Sequence, residues 1–405
     1  MEQVRQMVQE DDDEEQQKIW SWGAGTDGQL ATGRLQDEHS PQLLRSLSAF
    51  GHIISLSCGG AHVIAISTGG RVLTWGGEVL VSWAMAKWLT VYNRRLLRLW
   101  KALLLLMFLL AGITLALFQC SDSGAIFTCG DGSFGQLGHG DFKSQCSPLE
   151  VSYFGSKHID QVACGMRHSL VLLRDNEENQ VYGFGSGKRG QLGISTDKVK
   201  STSLPQITMG LTNLKIINIS ANGDHSAALS ADGNLYTWGR GFGRASDACV
   251  PRRFEAAFSL NEVALGWNHA LLLTREGELF MLGGDRHGVL GDSQKTSLTS
   301  DVSGKSKEGV MQIIPDLMGS KVVQIAAGAE HSALVTGKKS YNGSIMTWGW
   351  GEHGQLGLGD TNDQTAPRVV SLGDKFDEKN ATSRVYCGSG FSFVLRTYDV
   401  GSEKR

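Results

Sequence analysis

The chain has 405 residues, with 38 basic and 41 acidic side chains, and 41% of it is hydrophobic. That is enough apolar chain for a sizeable core, and the near balance of charge excludes a global field drawing the molecule to nucleic acid. Gly occurs 52 times and Pro only 6 times, which suits many tight turns.

Residues 1–17 read as an acidic, disordered tail, with Asp11, Asp12, Asp13, Glu14 and Glu15 in a row. No secretory signal is read at the start. From Trp20 a half-repeat begins: a short apolar strand ending in an aromatic residue or Cys and a Gly, then a Gly-rich turn. It reads W-S-W-G-A-G-T-D-G-Q-L from Trp20 and L-T-W-G-G from Leu73. It returns as F-T-C-G-D-G-S-F-G-Q-L-G from Phe127 and V-Y-G-F-G-S-G-K-R-G-Q-L-G from Val181. The last copies are L-Y-T-W-G-R-G-F-G from Leu235, L-F-M-L-G-G-D-R-H-G-V-L-G from Leu279 and I-M-T-W-G-W-G-E-H-G-Q-L-G from Ile345. A period in this range means one supersecondary unit copied around a ring or along a solenoid.

A second half-repeat alternates with the first. Its forms include S-C-G-G-A-H-V-I-A-I-S from Ser57, A-C-G-M-R-H-S-L-V-L-L from Ala163 and A-G-A-E-H-S-A-L-V from Ala327. The apolar alternation after each His position marks a half-buried strand. Each half-repeat supplies two strands, so a pair makes one four-stranded blade. The chain begins in a Trp-Gly half and finishes after a Gly-x-x-x-Ser half, so Val385–Leu395 is expected beside Ile19–Gly23, closing the ring and removing exposed sheet edges.

His62, His168, His225, His269 and His331 recur at one repeat position. A catalytic centre is built once per chain, so these are read as strand-top histidines bonding the backbone of a neighbouring blade. The repeated Trp75, Trp238 and Trp348 are read as blade-packing residues. The G-x-G-like string from Gly183 to Gly190 follows a strand but opens no helix, which argues against a phosphate site. Asp131, Asp141, Asp360 and Asp363 suit turns. No Ser-His-Asp order, metal spacing or Walker motif stands out, so no catalytic residue, cofactor or metal is assigned. The seven Cys lack C-x-x-C spacing, which suggests a reducing compartment; Cys58, Cys164 and Cys387 share one position where a small residue is wanted. Two loops depart from the repeat. After Gly239 the turn lacks Gln-Leu-Gly and its unit is short. After Gly291 a long polar stretch, with Asp292, Lys295, Lys305 and Lys307, is the candidate partner loop.

Residues 78–120 break the pattern. Ala102–Phe118 is 17 residues without a charge, behind Arg94, Arg95, Arg98 and Lys101. Taken alone this is a short transmembrane helix with a basic flank. Yet Gly76 to Gly130 keeps the repeat length of about 54 residues, so the segment replaces most of one blade. The continuous apolar run predicts helix in place of that blade's inner strands. A shifted reading frame accounts for the preserved length: the neighbouring frame of Trp83-Ala84-Met85-Ala86 forces Gly-x-Gly. From Met107 to Phe118 it permits H-V-S-A-G-W-N-H-S-G-F-V, close to V-A-L-G-W-N-H-A from Val263. A genuine membrane anchor and a packed accessory helix are the other readings.

These motifs resemble the regulator-of-chromosome-condensation repeat family, over residues 18–77 and 121–396, with a short tail at 397–405. The resemblance implies an all-β, seven-bladed propeller closed by the two ends of the chain. It also implies a non-enzymatic interaction protein like the guanine-nucleotide exchange factors of a Ran-type small GTPase, located in the cytoplasm or nucleus. The acidic N-terminus argues against chromatin binding, which needs basic phosphate contacts. The alternatives are a propeller like the plant ultraviolet-B receptor, whose G-W-R-H-T tryptophans are matched only by Trp267, and a propeller tethered to a membrane through 102–118.

Overall fold

The computed structural model describes residues 16–68, 71–77, 108–110, 114–118, 125–155, 157–174, 179–242, 245–283, 287–288, 311–314, 317, 320–337, 343–373 and 381–398. They form an all-β propeller, whose only helical turn among the described residues is Ser48–Phe50. Six antiparallel sheets have four strands and one, made of Ile53–Cys58, His62–Ser67 and Val72–Gly76, has three described strands.

In each blade the burial of the strands follows from their place in the ring. The second strand lies between the two neighbouring blades, so both of its faces are covered. His62–Ser67, His225–Ser230, His269–Thr274 and His331–Thr336 are buried at every residue. That is why these strands read as nearly continuous apolar runs. Outer strands such as Gln145–Glu150 and Gln364–Val369 are largely exposed and carry Gln, Pro and charge. The innermost strands Ile53–Cys58, Phe108–Leu110, Ile159–Cys164, Ile216–Asn222, Leu260–Leu265, Val322–Ala327 and Ala381–Cys387 touch in that order, and the last touches the first.

The two ends of the chain share one blade. Gln16–Gly23 lies antiparallel to Phe391–Tyr398, with Ile19 opposite Leu395 and Gly23 opposite Phe391. Ala381–Cys387 and Glu38–Leu43 complete that sheet. Packing between blades rests on the tryptophans. Trp238 sits with Leu170 and Leu172 of the blade before it, Trp348 with Leu271 and Leu273, and Trp22 with Ala333 and Val335. Each large ring thus buries area against a neighbouring blade as well as beside its own sheet.

The helical expectation for the apolar segment is overturned where the segment is described. Phe108–Leu110 and Thr114–Phe118 are strands, and with Ile126–Gly130 and Gln145–Glu150 they make a four-stranded blade. A short apolar run has no periodicity that separates helix from buried strand, and here the free edge of Ile126–Gly130 supplies the ladder partners. Thr114 lies opposite Gly130 as His62 lies opposite Gly76, so Thr114 stands at the repeat's His position. The rest of 78–107, and residues 111–113 and 119–124, lie outside the described residues. Among the described residues no helix is long and apolar enough to cross a membrane.

Candidate functional site

The repeat histidines belong to an inter-blade network. His168 Nε2 is 2.9 Å from Ser226 Oγ of the next blade. His331 Nε2 is 3.0 Å from Ser392 Oγ, and His269 Nε2 3.0 Å from Ser332 Oγ. The serine is the one that follows the His position in the neighbouring G-x-x-H-S string. Its own proton goes onward: Ser226 Oγ donates to the Gln191 carbonyl at 2.7 Å and Ser392 Oγ to the Gln355 carbonyl at 3.1 Å. The hydroxyl must therefore accept from His168 and His331, which puts a proton on Nε2 of both rings. Where the next blade has Ala270 in place of Ser, His225 Nε2 donates to the Trp267 carbonyl at 3.0 Å. Where the next blade has Leu115 at the Ser position, His62 turns back to its own blade, bonding the Gly77 carbonyl at 3.0 Å and Thr74 Oγ1.

Burial sets the charge state of these rings. It pushes His168 and His331 down to about 3 and His225 and His269 down to about 4, and it lowers His62. The Nδ1 atoms of His168, His225, His269 and His331 are buried without a partner among the described residues. The Gly three residues before the ring is steric: a Cβ on Gly165 would lie 2.1 Å from His168 Cε1, and one on Gly328 2.2 Å from His331 Cε1.

The tryptophans close on the same carbonyls. Trp238 Nε1 donates to Gln191 O at 2.9 Å, Trp22 Nε1 to Gln355 O at 2.8 Å and Trp75 Nε1 to Gln29 O at 2.8 Å. The carbonyls of Gln191 and Gln355 are thus staples between adjacent blades, each accepting from an indole and a serine at once. Further in, Gln161 grips both the N–H and the carbonyl of Ile219, and Gln324 those of Val385.

With these groups turned inward, variety is confined to the loop tips on the face where the two repeat turns meet. One arc is basic and aromatic: Phe134 has the Arg167 guanidinium 4.9 Å and the Lys188 ammonium 5.9 Å from its ring centre. The other arc is acidic. His287 bridges Asp363 Oδ2 at 2.8 Å and Glu330 Oε2 at 3.2 Å. Trp350 lies between His287 and His353, with ring centres 5.7 and 5.1 Å away, and His353 Nδ1 meets Asp37 Oδ2 at 2.9 Å.

A family model described as the RCC1-like domain matches residues 18–394. The chain belongs to the RCC1-like domain family. Its relatives include the ultraviolet-B receptor UVR8 of Arabidopsis thaliana, 30% identical over 93% of this chain and 83% of that protein. The secretion-regulating guanine nucleotide exchange factor of Bos taurus is 28% identical over 93% of this chain and 82% of that protein. In structure the RCC1-like propeller matches Prp20p of Saccharomyces cerevisiae with a TM-score of 0.76 at 23% identity, covering 96% of this chain and 92% of that one. That likeness concerns the fold.

Of the residues singled out by sequence, the RCC1-like propeller places His168, His225, His269 and His331 with Trp75 and Trp238 in the inter-blade network, while His62 bonds its own blade and Trp348 packs on Leu271 and Leu273 of the blade before it. Only His225 bonds a neighbouring blade's backbone, as expected of all five. Three others reach a serine of the neighbouring blade, where that blade carries a hydroxyl after its His position. Asp292, Lys295, Lys305 and Lys307 lie outside the described residues. Sequence reasoning missed the inter-blade role of the Gln of G-Q-L-G and of the Ser of G-x-x-H-S; the signal was their recurrence in several units beside residues that were noticed. It also missed the His287–Trp350–His353 arc, whose residues sit at tips where each repeat differs.

Proposed function

We propose that the RCC1-like propeller is a non-enzymatic protein-interaction platform of the guanine-nucleotide exchange factor kind, acting on a Ran-type small GTPase in the cytoplasm or nucleus. The reading takes the propeller as seven-bladed, with the three-stranded sheet Ile53–Gly76 and the sheet that begins at Phe108–Leu110 each as one blade. The observation that carries the reading is the division of polar groups. The repeated His, Ser, Trp and Gln side chains hold blades to one another, while the chemically varied tips converge on one face. A face that differs at each tip suits recognition of one protein surface. The likeness to the secretion-regulating exchange factor over most of both chains adds support. The acidic arc on this face argues against chromatin. A light-sensing role is disfavoured because Trp267 alone occupies the G-W-x-H position.

The test is size-exclusion chromatography of the full chain with a Ran-type GTPase, stripped of nucleotide or loaded with GDP. Co-elution with the stripped form and its loss on adding GDP are expected, because an exchange factor holds the nucleotide-free state best. Separate elution under both conditions counts against the reading.

A further inference from the structure

The chain has six prolines, and five of them mark one position of the repeat. Pro41, Pro148, Pro205, Pro251 and Pro367 each lie in the outermost strand of a sheet, three residues before an N–H that ties that strand to its neighbour. After Pro205, for example, Thr208 N donates to the Val181 carbonyl at 2.8 Å. In the blade that begins at Leu260–Leu265 the equivalent bond runs from Ile314 N to the Leu279 carbonyl at 3.0 Å. Three residues before Ile314 stands Met311. The sixth proline, Pro315, follows this outer strand instead of standing in it.

The backbone differs accordingly. In all five proline strands the register to the neighbouring strand shifts at the proline. Met311–Ile313 pairs without a shift, Leu282 with Met311, Met281 with Gln312 and Phe280 with Ile313. Proline and a bulge are two devices that keep a sheet edge from accepting another strand. This edge has neither. Because Ile314 N points to Leu279, the alternation along the strand turns the N–H and C=O of Met311 and of Ile313 away from the sheet. In the five sister strands proline removes the first of these N–H groups. Among the described residues no strand pairs with the outer side of Met311–Ile313. The sheet face beside it is apolar. Ile313, Phe254 and Phe258 are half-buried against the cluster of Leu272, Phe280 and Leu282, and Phe258 stacks on Phe280 with ring centres 4.2 Å apart.

We propose that the outer edge Met311–Ile313 docks an extended, proline-free segment of a protein partner, added antiparallel as a fifth strand of this blade. The segment exchanges N–H···O bonds with Met311 and with Ile313, about four in all. Its alternate apolar side chains lie on the side of Ile313, Phe254 and Phe258. The chemistry fixes the class of occupant: an extended polypeptide presents donors and acceptors at the spacing of a strand, and neither a nucleic acid nor a lipid does. Two outward residues bury far less than a stable dimer of whole propellers needs, which argues against a second copy of this chain. The edge lies on the rim, apart from the turn face, so the inference does not rest on the exchange-factor reading.

The test is fluorescence anisotropy of the full chain with a fluorescein-labelled Lys-Thr-Val-Thr-Val-Thr-Val-Lys peptide and with the same peptide N-methylated at its valines, which removes the N–H groups of one edge. Saturable binding of the unmethylated peptide is expected, weakened about tenfold or more by methylation and by Met311→Pro. That variant gives the strand the residue its five sisters carry. It loses no ladder bond, because the N–H it removes points outward, so it should melt within about 2 °C of the wild type. Should the variant not fold, hydrogen exchange of the wild type decides: the amides of Met311 and Ile313 should exchange about tenfold or more slowly with the peptide bound. Equal binding of the two peptides, binding indifferent to Met311→Pro, or unchanged exchange at those two amides overturns the proposal. A wild-type dimer that Met311→Pro converts to a monomer also overturns it, by making a second copy the occupant. Co-elution with the stripped GTPase should survive Met311→Pro. If peptide and GTPase binding are lost together, the edge belongs to the GTPase site and the separate docking site falls.

Discussion

Acidification from neutral pH to about pH 5 is expected to unfold the propeller in one cooperative step. His168, His225, His269 and His331 have folded values of about 3 to 4 against an ordinary 6.5. Below 6.5 the unfolded chain binds protons that the folded chain refuses, so stability falls with pH until the folded values are reached. Each unit of that gap is worth about 1.4 kcal/mol, so four rings lose on the order of 8 kcal/mol by about pH 5. Glu262 works in the opposite direction. It stands where Gln161 and Gln324 stand, and burial raises it to about 7, partly offset by the N–H of Ile325. Its relief on protonation returns about 2–3 kcal/mol over the same range. The net loss of about 5 kcal/mol is comparable with the whole stability of an ordinary domain. Circular dichroism against pH measures it. Glu262→Gln should raise stability at neutral pH and steepen the acid loss, because only the opposing contribution is removed. A fold retained unchanged to pH 4 would show that the rings can be protonated in place.

Removing the last closing strand should have a comparable effect by another route. Phe391–Tyr398 lies between Gln16–Gly23 and Ala381–Cys387, so a chain ending at residue 390 loses ladder bonds on both sides. It also loses Phe391, Phe393 and Leu395 from the core cluster that includes Ile19, Leu30 and Leu56. Each buried aromatic ring alone is worth about 3–5 kcal/mol, and the exposed edges of both neighbouring strands become templates for aggregation. The truncated chain should appear in the insoluble fraction under conditions where the full chain is soluble. Recovery of a soluble monomer with the same far-ultraviolet spectrum would show that the ring does not depend on this closure.

Much of the fold was legible because the repeat encodes it several times over. A Gly three residues before a His leaves room for an imidazole, and an apolar run after that His announces a strand covered on both faces. The closing blade could be read from complementary half-repeats at the two ends. The helix expected through Phe108 and Thr114–Phe118 failed for a tertiary reason: a neighbouring strand edge decided the conformation of residues whose local pattern was ambiguous. The face chemistry was less legible for a related reason. Trp350, His287 and Glu330 lie in different units, and only the ring brings them together.

The most direct measurement for the account as a whole is the release of fluorescent GDP from a Ran-type GTPase in the presence of a small molar fraction of the full chain. Release should accelerate in proportion to the amount of propeller, because a platform that holds the nucleotide-free state lowers the barrier to nucleotide loss and is recovered for another cycle. A release rate unaffected by stoichiometric propeller would contradict the exchange-factor reading.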